Sequence, residues 1–129
     1  MIEALEEIEV ITLFVDDLAS TKSFYDKVFN AVEVHGDANC SVLKFRNIAV
    51  NLLKSENASA LIVPLEVGEA TTPPRMLFTI QVKDVDAVCA RLESVGVSLL
   101  NGPVDRPWGR RTAAFADPSG HSWEVAQLI

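Results

Sequence analysis

The side chains able to do acid–base, nucleophilic or metal chemistry are few and scattered. They are His35, His121, Cys40, Cys89 and Glu124, a carboxylate set among apolar residues near the end of the chain. Neither histidine has a serine or cysteine partner in a recognisable nucleophile motif, so hydrolytic triad chemistry has no support. Two cysteines make no disulfide framework and no zinc site of paired thiolates. Cys89 falls on an apolar helical stripe and reads as a small buried hydrophobe, while Cys40 has no motif around it. This cysteine usage points to a reduced, cytoplasmic setting. His121 and Glu124 stand three apart in what reads as a strand, so they face opposite ways and do not make a common ion site. His121 is expected at a turn and His35, beside Gly36, on the surface.

A repeated plan positions these residues. Val15-Asp16-Asp17-Leu18 and Val82-Lys83-Asp84-Val85 each close a strand-like run and open an amphipathic helix-like run. In the first half, residues 8–15 read as a strand. Asp16 and Asp17 offer cap oxygens to a helix over 18–29, and Asn30 takes the left-handed position that ends it. Strands follow near 32–34, 40–45 and 48–53. In the second half, 76–82 is strand-like and Asp84 caps a helix. Val85, Val88, Cys89, Leu92 and Val95 form that helix's apolar stripe, and Gly96 ends it. Strands follow near 97–100, 112–116 and 123–128, the last two joined by the turn Asp117-Pro118-Ser119-Gly120. Residues 56–75, with Gly68, Pro73 and Pro74, read as an inter-module linker with room for a short strand at 61–63. The expected organisation is therefore one domain over 1–129, with module one at about 8–55 and module two at 76–128. Interfaces between repeated units are natural places for a ligand cavity.

Composition narrows the function classes. The chain has 129 residues, 49% hydrophobic and 22% charged, as expected for one soluble globular domain. No apolar run approaches the ~20 residues of a membrane span. The acidic stretch from Met1 to Glu7 lacks the basic region of a secretory signal. The net charge of −7 argues against nucleic acid as a partner and is compatible with cationic ligands.

The same residues carry a family resemblance. Thr12-Leu13-Phe14-Val15-Asp16-Asp17-Leu18 with Phe24-Tyr25 resembles the first strand and helix of the vicinal oxygen chelate superfamily, which includes glyoxalase I, extradiol dioxygenases, and fosfomycin and bleomycin resistance proteins. Gln81-Val82-Lys83-Asp84-Val85-Asp86 resembles the start of its second module. Gly102-Pro103, Pro107-Trp108-Gly109-Arg110-Arg111 and Asp117-Pro118-Ser119-Gly120-His121-Ser122-Trp123-Glu124 resemble its C-terminal strands. The resemblance runs from about residue 8 to 128. It implies an α+β fold of two βαβββ modules, with curved mixed sheets around a cavity, helices on the outer face, and a homodimer.

It also implies where chemistry would sit. The family's enzymes typically hold a divalent metal on four inward strand positions, which fall here at Val10, Asn51, Leu77 and Glu124. Val10 and Leu77 have no donor atom, so no cofactor is expected and an intrinsic divalent metal is disfavoured. Alternation places Val10, Thr12 and Phe14, then Asn51 and Leu53, then Leu77, Thr79 and Gln81, then Glu124 and Ala126, on the mixed, ligand-facing side. Glu124 then needs a partner: an arginine, with Arg111 or Arg110 as candidates, a ligand, or a neutral state that works as acid or base. Trp108, in its Pro-Trp-Gly loop, either stacks on a ligand or closes the hydrophobic seam between modules. The expected ligand-binding set is Phe14, Thr12, Asn51, Leu77, Thr79, Gln81, Trp108, Arg111 and Glu124. The preferred function is metal-independent binding or sequestration of a small organic molecule, as in the bleomycin-resistance branch. The alternatives are a glyoxalase-like lyase, isomerase or dioxygenase with an atypical metal site, and a regulatory dimer with a vestigial cavity.

Overall fold

The computed structural model describes residues 2–129; Met1, which opens the acidic N-terminal stretch, lies outside the described residues. The chain divides into two compact units, Met1–Glu69 and Ala70–Ile129.

The first unit holds β1 (Val10–Val15), α1 (Leu18–Phe29), β2 (Val32–Gly36), β3 (Cys40–Lys44), β4 (Ala49–Lys54) and α2 (Ser55–Ile62). Its sheet runs β1-β4-β3-β2, with β1 parallel to β4 and the other pairs antiparallel. Asp17 sits in extended backbone and its carboxylate accepts from the Ser20 amide at 3.0 Å, which starts α1. Asn30 ends it at φ 49°, and its amide returns to the Asp26 carbonyl. Strand alternation then decides what is inside. Leu13, Val15, Leu43, Val50 and Leu52 are all buried on one face, together with Phe24 and Tyr25 of α1. Tyr25 stacks on Phe29 with ring centroids 5.4 Å apart.

The stretch after β4 departs from the expected linker. It opens with the helix α2, which occupies most of the 61–63 segment read as a short strand. Three apolar residues cannot distinguish period 2 from period 3.6. Buried Ala58 and the packing of α2 on β1 and β4 settle the matter for a helix.

The second unit repeats the plan with β5 (Phe78–Gln81), α3 (Val85–Ser94), β6 (Leu99–Arg106), β7 (Arg110–Ala116) and β8 (Ser122–Leu128). Its sheet runs β5-β8-β7-β6, with β5 parallel to β8. Asp84 caps α3 through the Ala87 amide at 3.0 Å, and Gly96 follows at φ 84°. Val85, Cys89 and Leu92 of α3 are buried, as are Ala113, Phe115, Trp123 and Val125 on one face of the sheet. The strand read at 97–100 instead runs to Arg106. Pairing irregularities on both sides of Asn101 carry it through Gly102-Pro103. A side chain on Gly102, at φ 85°, would collide with the Thr112 carbonyl and with Ala113 of the neighbouring strand, so glycine is required there. No helix among the described residues is long and apolar enough to cross a membrane.

Candidate functional site

Each sheet has one face under its helix and one mixed face, and the mixed faces carry Thr12, Phe14, Asn51, Thr79, Gln81 and Glu124. In the first unit Thr12 pairs with Asn51, and Asn51 pairs in turn with Val42. Phe14 pairs with Leu53 one step along the same face. Asn51 Oδ1 is buried and has no hydrogen-bond partner among the described residues. A buried carbonyl left without a donor costs about 1–3 kcal/mol. Val10 opens β1 and is 38% exposed.

In the second unit Thr79 of β5 and Glu124 of β8 are direct neighbours in parallel register. The Thr79 hydroxyl donates to Glu124 Oε1 at 2.9 Å. Oε2 has no partner among the described residues, so the anchored carboxylate still presents one acceptor oxygen. Gln81 lies two residues along the same face and is exposed. Leu77 falls just before β5 rather than within it, and is half exposed.

Arg111 does not serve Glu124. It pairs with Gln127 in the β7–β8 ladder, while Glu124 pairs with Ala114. Odd and even positions on a strand face opposite ways, so Arg111 points to the α3 side. There its guanidinium bridges Asp105 of β6 and Asp86 of α3, both at 3.0 Å, and these carboxylates, Asp105 first, hold it above its ordinary pKa. Gln127 on that side accepts the Val85 amide at 2.8 Å and helps seat α3. The even-numbered Arg110 and, across from it, Arg106 share the face of Glu124. Arg106 donates to Thr112 Oγ1 at 3.0 Å and Asn101 Oδ1 at 3.1 Å, so it is held without an acidic partner among the described residues. From Ala114, opposite Glu124, to Arg110 is four residues, roughly 13 Å along a strand. The face thus has a carboxylate end and a guanidinium end.

Trp108 sits in the β6–β7 connection and is 68% exposed. His121 is a turn residue, as expected. The buried Asp117 carboxylate accepts the Ser119 and His121 amides and lies 2.8 Å from His121 Nδ1, closing the β7–β8 connection. Cys89 is buried, and burial pushes its thiol pKa up. One grouping was missed from sequence. His35, Asp37 and Cys40 lie together around the β2–β3 connection, their ligating atoms all within 4.8 Å of one another. The spacing His-x-Asp-x-x-Cys across a turn was the available signal.

Comparison with known proteins agrees with this architecture. The family model described as Glyoxalase/Bleomycin resistance protein/Dioxygenase superfamily matches residues 7–125. An uncharacterized protein of Mycobacterium bovis is 32% identical over 126 residues, covering 91% of this chain and 80% of its own length. A glyoxalase-related enzyme from Fulvimarina pelagi superposes with a TM-score of 0.82 at 26% identity, covering 95% of this chain and 88% of its own. TnmS3, an antibiotic binding protein from Streptomyces sp. CB03234, superposes with a TM-score of 0.72 at 23% identity, covering 98% of both chains.

Proposed function

The chain belongs to the Glyoxalase/Bleomycin resistance protein/Dioxygenase superfamily, and from that premise we propose that it binds and sequesters a small organic molecule without a metal at the family's ligand positions. The Thr79–Glu124 pair carries this reading: a positioned carboxylate with one oxygen left over on a mixed apolar and polar face. A ligand amine, amidinium or hydroxyl would donate to that oxygen. Flat or apolar parts would lie on the sheet, and an acidic group would suit the Arg106–Arg110 end. The likeness to an antibiotic binding protein supports a binder of this kind.

The donor set of the four family positions does not fit a resident divalent metal. Val10 and Leu77 are hydrocarbon, Asn51 offers a neutral amide, and Glu124 is one carboxylate. A transition metal prefers three or more imidazole, thiolate or carboxylate donors. The protein would work as a homodimer in the cytoplasm, with neither nucleic acid nor membrane as partner.

A thermal-shift screen in excess chelator tests the function. The panel contains cationic aromatic antibiotics, acyl-CoAs and thiol adducts. Stabilisation by several degrees from one class, lost in Glu124→Gln, supports the binder. Turnover of a thiol adduct would favour the glyoxalase-like alternative, and no shift from any class would remove the binder.

A further inference from the structure

We propose that the β2–β3 hairpin is a transition-metal site whose ligands are His35, Asp37 and Cys40. It lies outside the family's four strand positions, and its reading does not rest on the Thr79–Glu124 face.

The backbone of the hairpin organises the three donors. The Asp37 amide donates to the Cys40 carbonyl at 3.0 Å, and the Lys54 amide donates to the Asn39 carbonyl at 2.9 Å, fixing the connection against β4. Asp37 Oδ1 accepts two backbone amides, from Asn39 at 2.7 Å and from Cys40 at 3.0 Å. This leaves Oδ2 as the outward oxygen, 3.6 Å from His35 Nε2. That separation is too long for a good hydrogen bond, yet it is close to the spacing of two ligands on one tetrahedral ion. With metal–ligand bonds of about 2.0–2.3 Å, tetrahedral donors sit roughly 3.3–3.8 Å apart. The Cys40 thiol, half-buried at the first position of β3, completes a set whose atoms need to close by only about 1 Å.

The chemistry of the set selects the ion. One imidazole, one thiolate and one carboxylate suit zinc and its neighbours cobalt and nickel, and not magnesium or calcium, which take oxygen donors. Three protein ligands leave a fourth position for water or for a donor on another molecule. His35 and Asp37 are mostly exposed, so an ion can reach the site without unfolding the hairpin.

The test is a cobalt titration of the full chain, freed of metal by a chelator and kept reduced by a phosphine. The expected result is one equivalent of Co2+ with a thiolate-to-cobalt charge-transfer band, displaced by Zn2+. Cys40→Ser should abolish that band and His35→Ala should weaken binding about tenfold or more, while Cys89→Ala leaves both unchanged. Circular dichroism of each variant confirms that it is folded. A wild-type chain without the band, a band that survives Cys40→Ser, or unchanged affinity in folded His35→Ala would each overturn the site.

Discussion

Asn51 and Glu124 occupy comparable strands of the two units, β4 and β8, and each presents an oxygen without a partner among the described residues on a mixed sheet face. The two oxygens differ in cost. The Asn51 carbonyl is buried, so replacing the amide by hydrocarbon of similar size relieves a desolvation penalty. Asn51→Leu should therefore hold or raise stability, by about 1 kcal/mol, while weakening any ligand that donates to the oxygen; denaturant unfolding beside ligand titration reads both. Thr79→Val removes the hydroxyl that orients Glu124. It should weaken ligand binding severalfold with little change in melting temperature, because the bond is on an exposed face. Pairing of Thr79 with Glu124 was within reach of the sequence, since both fall on the mixed side of adjacent strands. Of the two arginines the sequence offers as partners for Glu124, parity leaves Arg110 on its face and puts Arg111 on the other, once the Asp117–Gly120 turn sets the hairpin register.

Helices and hairpins follow local rules closely enough to be altered one at a time. Asp84→Ala removes the carboxylate that accepts the Ala87 amide and should cost about 1 kcal/mol by chemical denaturation. The tie between α1 and β2 adds a pH dependence. Lys22 pairs with Glu33, and the Ser41 hydroxyl also donates to that carboxylate. Lys22 first and Ser41 second hold Glu33 below the ordinary carboxylate value of 4.5, while the hydrogen bond with Glu33 raises Lys22 above its ordinary 10.5. The Glu33 contribution is present above about pH 4.5 and fades as pH falls through the lower folded value. The Lys22 contribution is present below 10.5 and fades as pH rises through the higher folded value. The melting-temperature difference between wild type and Glu33→Gln should therefore be larger at pH 7 than at pH 3; an equal difference would count against the tie. Both helix starts were legible because an aspartate, an apolar stripe and a left-handed Asn or Gly coincide at each. The helix α2 was not, because Ser55 to Ile62 has one buried residue, too few to establish a period.

Across the whole molecule the repeated βαβββ order was the most legible property, since it rests on matched strand, cap and helix signals in both halves. The binding residues were legible only as faces of strands. Alternation separates inner from outer positions, but which side chains meet depends on register, and register depends on connection lengths and on the irregular pairing at Asn101. His35 and Cys40 stand out singly in the sequence, but their grouping with Asp37 does not, because proximity across a turn leaves no periodic signal. Calorimetric titration of the screened ligand into chelator-treated protein, wild type beside Glu124→Gln, separates a carboxylate-anchored site from a metal-dependent one. One ligand should bind per chain with an affinity that added divalent metal leaves unchanged, and Glu124→Gln should weaken it about tenfold or more. Binding that appears only when metal is restored, or that Glu124→Gln leaves untouched, would contradict a metal-independent site anchored on this carboxylate.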